Sequence, residues 1–366
     1  MRISSLRLHD FRNYHDCKLV FDVGIHVIAG KNAQGKTNLL EAILYLSTTR
    51  SHRSNNEKSL IREGNDAFFL QAELIKHQKK HELKAAVNEK GKNLFVYGNP
   101  VSRVSDFIGE LNAVMFCPDD MNLFQASPRM RRRFIDVELS KVSKKYVSTL
   151  YKASKLLKER NAYLKSERVD INFLSILSDQ LINEQVIIMK QRYHFLQELL
   201  SYSLPFYEKL SQDGTTLDII YESCIPYCDD EQQLKVSLKE KFNKQLQRDL
   251  HMKQTSIGIH KEDFSFQING KNIDTYASQG QKRSVLLALK IGMVHMIKKL
   301  IKEYPVLLLD DVFSELDVYR REQLLLSLPE EVQIFISTTD TTEAKKISNI
   351  KKVTLWKVTD GNIVRC

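Results

Sequence analysis

The stretch Gly30-Lys31-Asn32-Ala33-Gln34-Gly35-Lys36-Thr37 constrains this chain most, because it fits G-x-x-x-x-G-K-T, the phosphate-binding loop of nucleotide-hydrolysing proteins. Its flanks fit as well. The apolar run Val27-Ile28-Ala29 leads in, and Leu39, Ile43 and Leu46 follow at the spacing of one helix face, so the segment reads as strand, loop and helix. Glycines let the backbone turn tightly enough for consecutive N–H groups to point inward at a polyphosphate. A helix beginning near Lys36 adds the positive end of its dipole. Gly30, Lys31, Asn32, Ala33, Gln34, Gly35, Lys36, Thr37 and Asn38 are therefore the expected cradle. Lys36 is expected to reach the β- and γ-phosphates of ATP, and the Thr37 hydroxyl to take one position on Mg²⁺.

A second stretch complements it. Pro305-Val306-Leu307-Leu308-Leu309-Asp310-Asp311 is an apolar run ending in two acids. Such runs mark central parallel strands, and ligands collect at their carboxyl ends. Asp310 is expected to hold Mg²⁺, directly or through water, and Asp311 to orient or activate the attacking water, which pairs it with Lys36 in catalysis. Between the two, Tyr276-Ala277-Ser278-Gln279-Gly280-Gln281-Lys282-Arg283 opens a long helix with Leu286, Leu289, Met293 and Leu300 on one face. Ser278 and Gly280 there expose a hydroxyl and an N–H to an anion.

Composition limits the partners. The 366 residues leave room for about two domains, and 42% hydrophobic with 27% charged residues is a globular balance with a sizeable core. No apolar run approaches the roughly 18 residues of a membrane span, and the N-terminus lacks a signal-peptide core, so a cytoplasmic location is expected. A net charge of +10 favours a polyanion, either nucleic acid or an acidic membrane surface. The five cysteines are scattered and odd in number, which argues against a disulfide framework. Cys224 and Cys228 could form half of a zinc site, but without a second pair nearby they read as ordinary thiols.

Taken in order, strands are expected at Ile3–Phe11, Leu19–Phe21, Ile25–Ala29, Ala67–Leu74, Glu82–Val87 and Leu94–Pro100, the last with a turn at Gly98-Asn99. Another covers Val114–Cys117. From Arg129 to Leu204 there is neither Gly nor Pro, which over such a length means helix. Leu150, Leu157 and Leu164 recur at seven, as do Leu174, Leu181, Ile188 and Phe195, suggesting two helices packed antiparallel as an arm. Lys141, Lys144, Lys145, Lys152, Lys155 and Lys158 line the first, as a solvated face or a DNA-tracking one. Pro205, Asp213-Gly214 and Pro226 break the pattern, a further helix covers Leu234–Leu250, and strands return at Thr255–His260 and Phe264–Ile268, the latter turning at Asn269-Gly270. Gln333–Ser337 and Val353–Lys357 finish the sheet. The expected parts are 1–118, the P-loop half of a head; 119–253, a helical lobe; and 254–366, the remaining half.

In this order the motifs resemble the ATP-binding-cassette class that includes the chromosome-maintenance ATPases, and more narrowly the RecF family of bacterial recombination mediators. The resemblance rests on Phe11-Arg12-Asn13-Tyr14, Gly30 to Thr37, Ser51-His52-Arg53, Arg131 to Asp136, Tyr276 to Arg283, Leu307 to Asp317, and Gln333 to Asp340. It implies an α/β fold, an ABC-type P-loop ATPase head with a helical lobe inserted between the P-loop half and the signature and Walker B half. It also implies a nucleotide site that Arg12 joins, with Ser278, Gly280 and Gln281 of one subunit completing the site at Lys36 of another. Two ATP molecules then close a homodimer that holds DNA, with Asp317 at the seam. The implied activity is a weak, DNA-stimulated ATPase supporting recombinase loading at gapped or junction DNA and the SOS response, beside a ring-forming RecR-type partner.

Three features depart from the family pattern. Gly258-Ile259-His260-Lys261-Glu262-Asp263 stands where Gly-Pro-His-Arg-Asp-Asp is usual, and Asp311 stands where many cassette ATPases carry Glu. The transporter-type switch histidine is absent, its region holding Thr338, Thr339 and Asp340. Arg129, Arg131, Arg132, Arg133, Lys144 and Lys145 are the expected DNA contacts, although arginines there could instead fix the ATP-bound geometry. A small-molecule phosphotransferase is the alternative; it leaves the Ser278 helix, the basic excess and the arm unexplained. An end-tethering relative would need a longer coiled coil, since about 30 helical residues span only about 45 Å.

Overall fold

The computed structural model describes residues 1–211, 214–339, 341–348 and 351–366. Asp213 of the expected turn and Asp340 of the expected switch region lie outside the described residues. The chain begins β1 (Arg2–Phe11), β2 (Tyr14–Val20), β3 (Ile25–Ala29), α1 (Lys36–Thr48), β4 (Ala67–Lys76), β5 (Lys79–Asn88), β6 (Gly91–Val96), β7 (Asn99–Pro100), α2 (Val104–Phe107) and β8 (Ala113–Phe116). Next come α3 (Pro128–Val142), α4 (Lys144–Tyr163), α5 (Ile171–Ser211), β9 (Leu217–Glu222), α6 (Glu231–Met252), β10 (Asp263–Ile268), β11 (Lys271–Asn272) and α7 (Ile273–Tyr276). It ends with α8 (Gln279–Ile301), β12 (Val306–Asp310), α9 (Val312–Glu315), α10 (Val318–Leu326), β13 (Ile334–Thr338), α11 (Thr341–Ser348), β14 (Val353–Thr359) and β15 (Asn362–Arg365).

These elements form two units. The first joins Met1–Met121, Ser201–Thr215 and Gln279–Cys366, and the second joins Asn122–Leu200 and Thr216–Ser278. The division differs from the three-part expectation, because residues 254–278 group with the helical unit and Ser201–Thr215 group with the first.

In the first unit an antiparallel sheet, ordered β2-β1-β4-β5-β6-β7, accompanies a second sheet ordered β15-β14-β3-β13-β12-β8. In that second sheet β14, β3, β13, β12 and β8 are all parallel, with β15 added antiparallel to β14. Helix α1 packs between the sheets. Leu39, Leu40, Ala42, Ile43, Tyr45 and Leu46 are all buried, so nearly its whole circumference is core and not only the expected face. Each large apolar side chain so enclosed contributes about 1.5–3 kcal/mol. Strand β13 lies between the P-loop strand and the acidic strand, pairing Ser337 with Asp310 on one side and with Ile28 on the other. The phosphate loop and both acids are thereby brought to one edge of the sheet.

In the second unit the sheet is ordered β11-β10-β9. The helical stretch divides more finely than expected. A break at Ser143 separates α3 from α4, and the Ser143 hydroxyl caps α4 by accepting from Tyr146 N. Leu174, Leu181, Ile188 and Phe195 are buried as the heptad spacing implies. On α4, however, Tyr146, Thr149, Ala153 and Arg160 turn inward, and Leu150 and Leu157 are left half-buried. The inward face is thus partly polar, which a search for leucines misses. Pro205 does not end the helix. It lies inside α5 on an exposed face, where water can take the carbonyl that its missing N–H leaves. Residues 255–260 are not a strand: Gly258 has φ +117°, Lys261 N bonds back to Gly258 O, and His260 Nε2 bonds Thr255 O. Strand β9 is an addition that the sequence reading leaves out.

Candidate nucleotide-binding site

The phosphate loop is shaped by two close approaches. Gly30 passes so near β14 that a Cβ would stand 2.5 Å from Val358 O. Gly35 has φ +115°, and a Cβ there would stand 2.5 Å from the Asn13 side chain. Neither position accepts a side chain. Asn13 is itself a buttress, donating to Gln34 O (2.8 Å) and accepting from Asn38 Nδ2 (2.9 Å). Tyr14 OH bonds Gly35 O at 3.0 Å. Gln34 is tied to the opposite side, its Oε1 accepting from Asp360 N at 2.6 Å.

Lys36, buried, donates to Gly30 O and Lys31 O, both at 2.8 Å, which arches the loop over its own ammonium. Burial lowers its pKa, against the attraction of Asp311 and Asp310. Thr37 Oγ1 donates to Asp310 Oδ1 at 2.9 Å, and Ser337 Oγ donates to the same oxygen at 2.6 Å. The Asp311 N–H bonds Ser337 Oγ at 2.9 Å, and Asp311 itself adopts φ +52° at the start of α9. Ser337 therefore sets both acids. It lies in the quoted Gln333–Asp340 stretch but carries no role in the sequence reading.

A cleft of about 920 Å³ opens over these groups. Asn32, Ala33, Gly35, Lys36, Thr37, Asn38, Asp311 and Ser337 line it, together with Arg12, Asn13, Arg53 and Arg62. Gly280 and Gln281 of the same unit do not line it. Arg12 is engaged bidentately with the buried Glu41, Nε at 2.9 Å and Nη2 at 3.0 Å. Glu41 and Arg62 are members of the site neighbourhood that carry no motif of their own in the sequence, while Arg53 lies in the quoted Ser51-His52-Arg53 stretch without a stated role.

The family model described as RecF/RecN/SMC N terminal domain matches residues 2–360. The DNA replication and repair protein RecF of Oenococcus oeni is 40% identical over all of both chains, and that of Oceanobacillus iheyensis is 38% identical over 99% of each. This chain belongs to the RecF family. A solved structure of the recombination mediator RecF bound to ATP, from the RecFOR pathway, superimposes with a TM-score of 0.92 at 32% identity, covering 100% of this chain and 97% of that one. An SMC head bound to the winged-helix domain of ScpA gives 0.57 at 16% identity over 100% and 98%, which shows the shared ATPase-head fold.

Other expected site residues of this RecF-family chain are placed as follows. Ser278 is exposed immediately before the first residue of α8, and Gly280 and Gln281 lie in its first turn, half-buried. In the second unit Arg129, Lys144 and Lys145 are exposed. Arg131 is engaged, its Nε donating to Asp263 at 2.8 Å beside a further Nη2 contact, and Arg132 donates to Glu262 O. Arg133 is half-buried. Lys141 is buried against Glu138, so it is not part of a solvated lysine face. Cys224 Sγ faces Glu262 and burial pushes its thiol up to about 12, while Cys228 Sγ faces Asp230 O. Among the described residues no cluster of three or more His, Cys, Asp or Glu could hold a metal, and no helix is long and apolar enough to cross a membrane.

Proposed function

We propose that this chain is an ATP-gated DNA clamp of recombinational repair and replication-fork maintenance. The observation that carries this is the convergence of Lys36, Thr37, Asp310 and Asp311 on one edge of the parallel sheet, held by Ser337. The ATP bound by the solved RecF relative supports ATP as the ligand. Thr37 Oγ1 and Asp310 Oδ1 are hard oxygens within 2.9 Å of each other, a donor set that fits Mg²⁺. The ion, held by Thr37 and Asp310, would supply positive charge against the phosphates. Lys36 binds the same phosphates, the loop N–H groups orient them, and the Asp311 carboxylate accepts the proton of the attacking water. Aspartate in this place has a shorter reach than glutamate, which suits slow hydrolysis used as a switch.

Ser278, Gly280 and Gln281 of a second copy then complete the site, closing an ATP-dependent homodimer on DNA. Arg129, Lys144 and Lys145 remain the proposed DNA contacts, with Arg131, Arg132 and Arg133 in reserve for a rearranged state. Such contacts reach phosphates, so binding is salt-sensitive and sequence-tolerant. Gapped or junction DNA, a RecR-type partner, stimulation of hydrolysis by DNA, recombinase loading, a role in the SOS response and a cytoplasmic, nucleoid-associated location complete the proposal. The test is sedimentation mass with and without ATP–Mg²⁺ for the wild type, Asp311→Asn and Ser278→Arg. The clamp predicts an ATP-induced doubling, stronger in Asp311→Asn and lost in Ser278→Arg. A mass that ignores ATP in all three sinks it and favours a small-molecule phosphotransferase.

A further inference from the structure

The carboxylate of Glu41 lies on α1 one turn beyond Thr37 and is 0% exposed. A charge so enclosed is costly unless its partners are in place. Its partners come from two segments that border the nucleotide cleft, and a third segment holds one of those partners. From the end of β1, Arg12 grips both carboxylate oxygens. From the loop after α1, Ser51 Oγ donates to Oε1 at 2.5 Å, and the same hydroxyl accepts from Arg53 N (3.0 Å) and Ser54 N (2.9 Å), shaping the turn that carries Arg53. From the 3-10 turn Glu57–Leu60, Ser59 O accepts Arg12 Nη1 at 2.9 Å. Arg53 in turn reaches Asn38 Oδ1 of α1 at 3.2 Å.

We infer that Glu41 is a positioning residue for nucleotide binding: it fixes the guanidinium of Arg12 and the backbone of the Arg53 turn so that both face the cleft in one geometry. A guanidinium has five N–H donors, and the three bonds of Arg12 to Glu41 and Ser59 leave donors for an anionic ligand on the cleft side. A planar, bidentate anchor of this kind loses little freedom when the ligand arrives. The inference rests on the cleft being an ATP site.

The experiment is a double-mutant cycle on the full chain, reading KM and kcat for ATP together with the melting temperature without nucleotide. Glu41→Gln keeps the shape and removes the charge; KM should rise about tenfold and kcat change less than about threefold, the signature of lost ground-state binding. Arg12→Gln should raise KM by a similar factor, and the double variant should be no worse than Arg12→Gln alone, because Glu41 acts through Arg12. Wild-type KM in Glu41→Gln, or penalties that multiply in the double variant, would overturn the inference. Should Glu41→Gln fail to fold, Ser51→Ala carries the test: it leaves the ion pair, should fold, and should raise KM about threefold, and an unchanged KM overturns the role. Lys36→Ala separates the two levels. If it hydrolyses ATP like the wild type, the nucleotide reading itself falls and the role of Glu41 with it.

Discussion

The two units use the same charged residue types in opposite ways. In the first, Lys36, Asp311, Arg12, Arg53 and Arg62 line a cleft of about 920 Å³. In the second, a set of buried charges is sealed. Arg160 Nη1 donates to Asp249 Oδ2 at 2.8 Å and to Thr255 Oγ1 at 2.7 Å, its Nε donates to Ser178, and Phe242 lies against its guanidinium. Arg192 joins α5 to Asp136 of α3 and to Ile259 O, near Glu262, whose carboxyl burial lifts above the ordinary range against the pull of Arg192. Each of these enclosed ionic groups answers another within the unit, and such an arrangement specifies packing. Around the phosphate loop, donors and acids are fixed from behind and left facing open space, which is the arrangement that chemistry needs.

Removing one partner is the harshest way to break this contrast. Asp249→Ala strands Arg160, which is 1% exposed, and should cost about 3–5 kcal/mol, seen as a large fall in the denaturation midpoint. Replacing both with apolar residues of similar volume should recover most of that loss. In the first unit the effect goes into rate. Asp311→Asn should lower kcat by about a hundredfold with a midpoint within about 1 kcal/mol of wild type. If Asp311→Asn instead unfolds the chain, or Asp249→Ala leaves stability untouched, the division into open and sealed charges is wrong.

A pH titration sharpens the comparison within the first unit. His26 on β3 is fully enclosed, its Nε2 donating to Asp22 O at 3.0 Å and its Nδ1 accepting from Trp356 Nε1 at 3.2 Å. Burial pushes its pKa down to about 4, from an ordinary value of about 6.5. Because the folded pKa is depressed, the unfolded chain takes up a proton that the native chain refuses. The stabilising contribution is therefore complete above about pH 6.5 and is lost as pH falls towards 4, on the order of 3 kcal/mol. Unfolding curves between those values should show the slope, and His26→Gln should flatten it. An equal slope in the variant would mean that other groups carry it.

The same contrast explains what was legible in the sequence. Gly30, Gly35, Lys36, Thr37 and Asp310 could be read directly, because phosphate chemistry admits few residue types at those spacings and the flanking β3, α1 and β12 are strongly patterned. Ser337 and Asn13 were harder. A serine at the end of β13 acquires its role only because that strand inserts between β3 and β12, a matter of topology. Glu41 and Arg12 meet across 29 residues of sequence. In the second unit the heptad count found the buried face of α5 but missed that of α4, where Arg160 and Thr149 take positions a leucine search passes over. Residues 255–260 carry strand-like composition, and only the left-handed Gly258 and the side chain of Gln185 packed against it make them turns.

The smallest predicted effect tests whether an exposed charge in the sealed unit behaves differently from the enclosed ones. Asp230 caps α6, its Oδ1 accepting from Gln232 N at 2.8 Å and Gln233 N at 3.2 Å. Asp230→Ala removes those two acceptors and the favourable charge at the positive end of the helix dipole, but water can replace the bonds. The cost should be about 1 kcal/mol, several times less than Asp249→Ala at the other end of the same helix. Asp230→Ser should restore most of it. A loss as large as that of Asp249→Ala would mean that the end of α6, and not the enclosed Arg160 pair, carries the stability of that helix.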